Sequence, residues 1–221
     1  MSNPSRPPSR LAILGAGGHG RSVADTAEAC GWQVNLYDDV WPQLQASGPW
    51  QVIGNSECLE RDWAAFDGVV LAFGDCARRL QAHRRLQAKG VPMPALVHPA
   101  AWVSPHARLG PGCVVMAGAA VNVGATLGEA CIVNTGATVD HDCHLAAGVH
   151  VSPGAHLAGG VRVGEGSWIG MAAALKQGVC VHPSATVGAG AVVLGDVEAG
   201  ACVVGCPAKP MHCKGGAARA G

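Results

Sequence analysis

Aromatic side chains are scarce in this sequence: Phe, Tyr and Trp make up 4% of 221 residues, with one Tyr and two Phe. A core so poor in rings has to be narrow, with room for small and aliphatic side chains only. Net charge is missing too, since 15 Lys and Arg balance 15 Asp and Glu. With no long basic run, neither nucleic acid nor an anionic membrane is expected as the main partner. There is no CxxC pair, and the nearest spacing, Cys202 to Cys206, stands alone. The thiols therefore read as reduced and the compartment as cytoplasmic. Residues 1–9 are polar and Pro-rich, and the apolar run after them is short and ends in Gly. That fits a disordered lead-in, and neither a signal peptide nor a membrane span.

What the sequence has in plenty is glycine, 32 residues, and a period. From Val103 every sixth residue is aliphatic as far as Val193, sixteen in succession with no insertion. Four residues beyond each stop lies a small or β-branched residue, Cys113, Cys131 and Cys143 among them. Cysteine in that place acts as a small hydrophobe. The small residue and the next aliphatic are two apart, so they share one face of a short strand. The remaining two residues turn a corner. Its first position takes Pro at 105, 111, 153 and 183, and its second takes Gly in ten of sixteen hexads. A corner that demands φ > 0 selects Gly, which carries no Cβ. Such a period is the signature of a hexapeptide β-helix, and neither a helix period nor simple alternation produces it. Three strands and three corners close one triangular coil, and a little over five coils stack into a prism on the order of 25 Å long.

Before the prism, strands are expected at residues 11–14, 34–37 and 69–73, with helices after the first and third. The helix at 76–89 is expected to carry a basic outer face, Arg78, Arg79, Arg84 and Arg85. The organisation expected is a lead-in at 1–9, a small α/β domain of half-dinucleotide-fold size at 10–97, the solenoid at 98–211, and a flexible Gly/Ala-rich tail at 212–221. His98-Pro99 marks the hinge.

Two stretches point to chemistry. Gly15-Ala16-Gly17-Gly18-His19-Gly20 fits G-x-G-x-x-G between a strand and a helix, with Asp38 some twenty residues on. The domain is too short for the second half of an NAD fold, so a nucleotide or sugar ligand is expected, with His19 as a polar contact. The hexad around Asp140-His141-Asp142-Cys143-His144 departs from its neighbours. His141 takes the first corner position and Asp142 the one that Gly dominates. An imidazole beside a carboxylate is fixed in one tautomer and made more basic, as a general base requires. Gly159 lies one coil on, leaving His141 uncovered, while Asp196 is read as the same corner without the His. His144, His150 and His156 point outward from the prism, and Trp168 stacks next to His150. His141 and His150 fall roughly 15 Å apart in one chain by strand dimensions, so they meet only across a subunit interface. A three-sided prism then favours three copies. Zinc held by His106, His141 and His144 converges poorly, and no metal is expected.

The GAGGHG loop, the DHDC hexad and the VVGCPAKPM run at 203–211 together resemble the bacterial sugar acyltransferases of the sialic acid O-acetyltransferase type. Nearest in pattern are the N-acetyltransferases of UDP-linked 4-amino-6-deoxy sugars. The resemblance implies a left-handed parallel β-helix, a homotrimer, acetyl-CoA bound between subunits, and a UDP-amino sugar held by the N-terminal domain. It implies His141 as base and Asp142, commonly Glu in the amino-sugar enzymes, as its carboxylate. His150 is implied at the thioester, with Gly159, Met171 and Ala189 lining the coenzyme groove. Gly17, Gly18, His19, Asp38, Asp39 and Gly74 are implied at the sugar nucleotide, and Arg21 suits a phosphate or a sialic acid carboxylate. The expected reaction is direct transfer to an amine without an acyl-enzyme. O-acetylation of sialic acid or another sugar, an NAD-dependent oxidoreductase and a silent trimeric scaffold are the alternatives.

Overall fold

The computed structural model describes residues 9–211; most of the lead-in, and the tail at 212–221, lie outside the described residues. The chain begins with β1 (Arg10–Leu14), α1 (Gly18–Ala29), β2 (Gln33–Tyr37), a short hairpin β3 (Ala46–Ser47) and β4 (Trp50–Gln51), α2 (Ser56–Asp62), β5 (Gly68–Leu71) and α3 (Cys76–Gln87). β1 runs through the middle of a parallel sheet of order β2-β1-β5. Its four apolar residues are all buried because each side of the sheet is covered. Leu11 and Ile13 pack with Val23, Ala24 and Ala27 of α1, whereas Ala12 and Leu14 pack with Leu59 of α2 and Leu86 of α3. The period of two therefore shows in which cluster each residue joins. The hairpin, with strands of two residues each, and α2, of seven, were not legible in the sequence. α2 is announced only by its cap, Asn55, whose side chain accepts from the Cys58 N–H at 2.9 Å.

The rest is a left-handed parallel β-helix of about six turns. Two-residue strands pair in parallel with the strand one coil on, Val103 beside Val121 and Val121 beside Val139. The inward ladder of aliphatic and small residues forms one continuous core, and Cys113, Cys131 and Cys143 lie in it as free thiols. Burying each such aliphatic is worth about 1.5–3 kcal/mol. Ten corner glycines from Gly112 to Gly190 have φ between 65° and 73°, as the corner reading requires.

The prism has three faces. An eight-stranded one, the docked face, carries His150–Val151 and Trp168–Ile169 and receives the α/β domain. Val114, Met116 and Ile132 on it join the α1 cluster. A six-stranded face presents the small residues Ala120, Thr138 and Ala174 outward, beside Trp102, His156 and Val192. A five-stranded face presents Arg108, His144 and Arg162. The solenoid starts earlier than the hinge reading placed it, since Leu96–Val97 already pairs with Val114–Val115. Within the expected range it continues past the last regular hexad, because Cys202–Val204 pairs with Thr186–Val187.

Candidate active site

At the C-terminal edge of the sheet, the glycine loop is shaped by two close approaches. A Cβ on Gly20 would lie 2.1 Å from the Gly15 carbonyl oxygen, so α1 comes down hard on the loop. Gly15 itself has φ +111° and would meet Ala72 O at 2.9 Å. Gly17 and Gly18 have no such reason to lack a side chain, for nothing lies within 4 Å of where one would be. They open α1, whose first turn has no side-chain cap. Uncapped N–H groups and the positive end of the helix together suit an anion. Asp38 ties the loop down, accepting from the Ala16 N–H at 2.8 Å and the Val40 N–H at 3.0 Å. Asp39 accepts from the Ser56 N–H and from Arg78, both at 3.1 Å. Burial works to raise its carboxyl, but the Ser56 bonds and the Arg78 charge outweigh it and hold it below the usual range. Asp39, Ser56, Phe73 and Arg78 line a cavity of about 250 Å³, with the Arg78 guanidinium 4.4 Å over the Phe73 ring. Gly74 also borders open space.

His150 points outward from the prism, as expected, yet it is 6% exposed because the α/β domain covers it. Asn134 Oδ1 accepts from the Thr135 N–H at 2.8 Å, which turns its amide nitrogen toward His150 Nε2 at 3.1 Å. His150 Nδ1 therefore carries the proton and faces the Gly74 carbonyl at 3.4 Å. The His19 ring lies 5.8 Å away, and its Nε2 is buried without a partner among the described residues. Burial first, then the Arg79 charge, lowers His19 to about 4 and His150 to about 3. Both rings are neutral at physiological pH.

His141 stands on the edge between the small-residue and basic faces. Asp142 follows at φ +57°. That conformation swings its carboxylate back to His141 Nδ1 at 2.8 Å. A carboxylate only accepts, so Nδ1 is the protonated nitrogen and Nε2 keeps its lone pair. Asp140 accepts from the His141 N–H at 2.8 Å and from Asn122 Nδ2 at 2.9 Å, fixing the corner. The Asp142 hydrogen bond, then the Asp140 charge, raises the His141 pKa above its ordinary value. The ring is 58% exposed and lies over Gly159, where a Cβ would sit 2.4 Å from Nε2. Asp140, His141, Gly159 and Gln177 border an open depression of about 440 Å³. Among the described residues, the Gly159 N–H donates to no protein acceptor. Asp196 is not the same corner after all. It lacks the positive φ that Ala130, Asp142, Ala172 and Ser184 share, and it accepts from the Cys180 N–H at 2.8 Å instead.

One chain thus divides the expected residues into three groups. Gly17, Gly18, His19, Asp38, Asp39 and Gly74 gather at the sheet edge, and His150 comes up beneath them. His141, Asp142 and Gly159 occupy one edge of the prism. Met171, 55% exposed, and Ala189 occupy another, across the small-residue face. Among the described residues, no group of three His, Cys, Asp or Glu side chains is arranged to hold a metal ion.

Comparison with known proteins fits this arrangement. The PglD N-terminal domain family matches residues 10–86. The acetyltransferase domain of PglB from Neisseria gonorrhoeae FA1090 is 43% identical, with a TM-score of 0.88 over 92% of this chain and 100% of that one. A second structure of that domain is in complex with acetyl coenzyme A, at 41% identity, TM-score 0.86 and the same coverage. PerB from Caulobacter crescentus, in complex with CoA and GDP-perosamine, is 37% identical with a TM-score of 0.86, over 91% of this chain and 96% of that one. No curated protein matches the chain. The chain belongs to the hexapeptide-repeat sugar N-acetyltransferases.

In this acetyltransferase two polar groups near the expected site were not singled out from the sequence. Asn134, which orients His150, gave no signal. Arg79 did: it falls on the face of α3 marked by Cys76, Leu80, His83 and Leu86, the spacing of a buried stripe. Counting it with the outer basic face was an error, for it is 1% exposed. No helix among the described residues is long and apolar enough to cross a membrane.

Proposed function

We propose that this chain transfers an acetyl group from acetyl-CoA to the 4-amino group of a nucleotide-linked amino-deoxy sugar, in the cytoplasm, and that its site is completed by a neighbouring copy in a homotrimer. The observation that carries the reading is the His141–Asp142 pair, with Nε2 unencumbered at an open depression. His141 Nε2 takes a proton from the acceptor amine as its nitrogen attacks the thioester carbonyl. The C–N bond forms, the tetrahedral intermediate collapses, and CoA leaves as the thiolate, which takes up the proton. The Gly159 N–H is placed to stabilise the oxyanion. Asp142 is one methylene shorter than the Glu common in the amino-sugar enzymes, and its left-handed backbone supports the 2.8 Å contact all the same.

The acceptor nucleotide is assigned to the sheet edge. Its diphosphate faces the open Gly17 and Gly18, and Asp39 and Gly74 border it. His19 Nε2, buried and unpartnered, suits a sugar hydroxyl or the amine. Met171 and Ala189 line the groove for acetyl-CoA. The face between this groove and His141, with Ala120, Thr138 and Ala174 outward between Trp102 and Val192, suits packing of a second copy, which would bring one copy's His141 to the other's His150.

A thiol-release assay with acetyl-CoA tests the reading. The panel is a UDP-linked 4-amino-4,6-dideoxy sugar, GDP-perosamine and free sialic acid. Release with an amino sugar supports the proposal and names its nucleotide. Release with sialic acid alone would replace N-acetylation by O-acetylation, and no release with any acceptor would overturn both.

A further inference from the structure

Arg79 is a buried cation with no carboxylate partner among the described residues. It lies one turn into α3, and its guanidinium reaches three segments at once. Nη1 donates to Phe73 O at 2.7 Å, Nε to Ala130 O at 2.9 Å and Nη2 to Gly148 O at 2.7 Å. Phe73 lies in the loop 72–75 that borders the expected acceptor site. Ala130 and Gly148 are matching corners of consecutive coils, and Gly148 stands two residues before His150. Burying an arginine that only carbonyls satisfy is costly, and an apolar contact would join the two parts of the chain at less expense. What the planar fork provides instead is direction, with several bonds at fixed angles from one rigid group.

We propose that Arg79 is a positioning residue: it fixes the Phe73–Gly74 loop of the acceptor side against the coil that carries His150, and so sets the gap between acceptor and acetyl donor. This rests on the acetyltransfer reading of the site. The packing around the fork agrees. A Cβ on Gly148 would lie 3.1 Å from Leu80 Cβ, so α3 sits directly on that corner. The Gly74 carbonyl is within 3.4 Å of both Arg79 Nη1 and His150 Nδ1. A shift of about 1 Å at such a junction costs on the order of 100-fold in rate. The cation has a second effect. The groups facing His150 are His19 from α1, the Gly74 carbonyl, Cys76 and Arg79 from α3, and Asn134 and Trp168 from adjoining coils, and Arg79 is the one nearby charge that opposes protonation of both rings.

Two variants of the full chain separate these effects. Arg79→Lys keeps the charge and loses the fork; Arg79→Met loses both. For R79K, kcat should fall about 100-fold with the better amino-sugar acceptor. KM for acetyl-CoA should stay within about twofold of wild type, and the unfolding transition should remain single. In R79M, the His19 and His150 ring nitrogens, followed by NMR, should titrate at higher pH than in wild type. Wild-type kcat in R79K would overturn the proposal. So would loss of activity in both variants that merely follows loss of folded protein, with histidine titrations unmoved. Should R79M fail to fold, the R79K kinetics decide. Should wild type release no CoA, the acetyltransfer reading fails, and the histidine titrations still report on Arg79.

Discussion

Asp142 occupies a left-handed conformation that costs a residue with a Cβ roughly 1 kcal/mol, and less for Asp than for most. The same backbone delivers its carboxylate to His141. Replacing it by Asn, which tolerates that conformation, keeps the corner and removes the charge. Asp142→Asn should therefore move the acidic limb of kcat/KM to lower pH, since the His141 pKa is no longer held up, and lower the plateau about 10- to 100-fold. Gly159→Ala is a sharper probe. Its φ is not left-handed, so alanine fits the backbone, but the Cβ enters the space of the His141 ring. Activity should drop by at least about tenfold with the melting temperature nearly unchanged, as steady-state kinetics and a thermal melt will show. The buried histidines predict an opposite pH response in stability. His19, His83 and His150 all have folded pKa values below the ordinary 6.5, chiefly from burial. The unfolded chain binds protons more readily at these three, so stability should hold above pH 6.5 and decline as the pH falls toward 4. Differential scanning calorimetry across that range checks it.

At the scale of elements, the corners show what a period conveys and what it conceals. Ten glycines announced the left-handed corner, and the strand faces followed from six-residue arithmetic. Four residues with side chains occupy the same conformation: Ala130, Asp142, Ala172 and Ser184. Ala172 is exposed and has no catalytic part in this account, so Ala172→Gly should raise the melting temperature by a few degrees. A long repeat is legible because each hexad restates it. The hairpin at Ala46–Gln51 and the helix at Ser56–Asp62 are too short to restate anything, and both escaped reading. Asp196 misled for the opposite reason: it keeps step with the count after the backbone has left the corner. The site divided in the same way. The His141–Asp142 contact and the tight glycine loop could be read from spacing, because local chemistry chose those residue types. The neutral state of His150 and the burial of Arg79 could not, because they arise where two separately legible parts of the chain meet.

On the scale of the whole molecule, His141 stands on the edge of a triangular rod opposite the face that carries His150 and the acceptor loop, and one copy does not bring them together. The account therefore requires a ring of copies in which His141 of one meets His150 of the next. Sedimentation equilibrium should give three times the chain mass. Acetyl-CoA should raise the melting temperature of the assembly by mass action. The central claim, a site shared between copies, is tested most directly by co-expressing His141→Ala and His150→Ala chains, each inactive alone, and measuring kcat of the mixed oligomers. Random mixing places an intact pair at one interface in four, so recovery of about a quarter of wild-type activity is predicted. Mixed oligomers that stay as inactive as their parents would contradict the account.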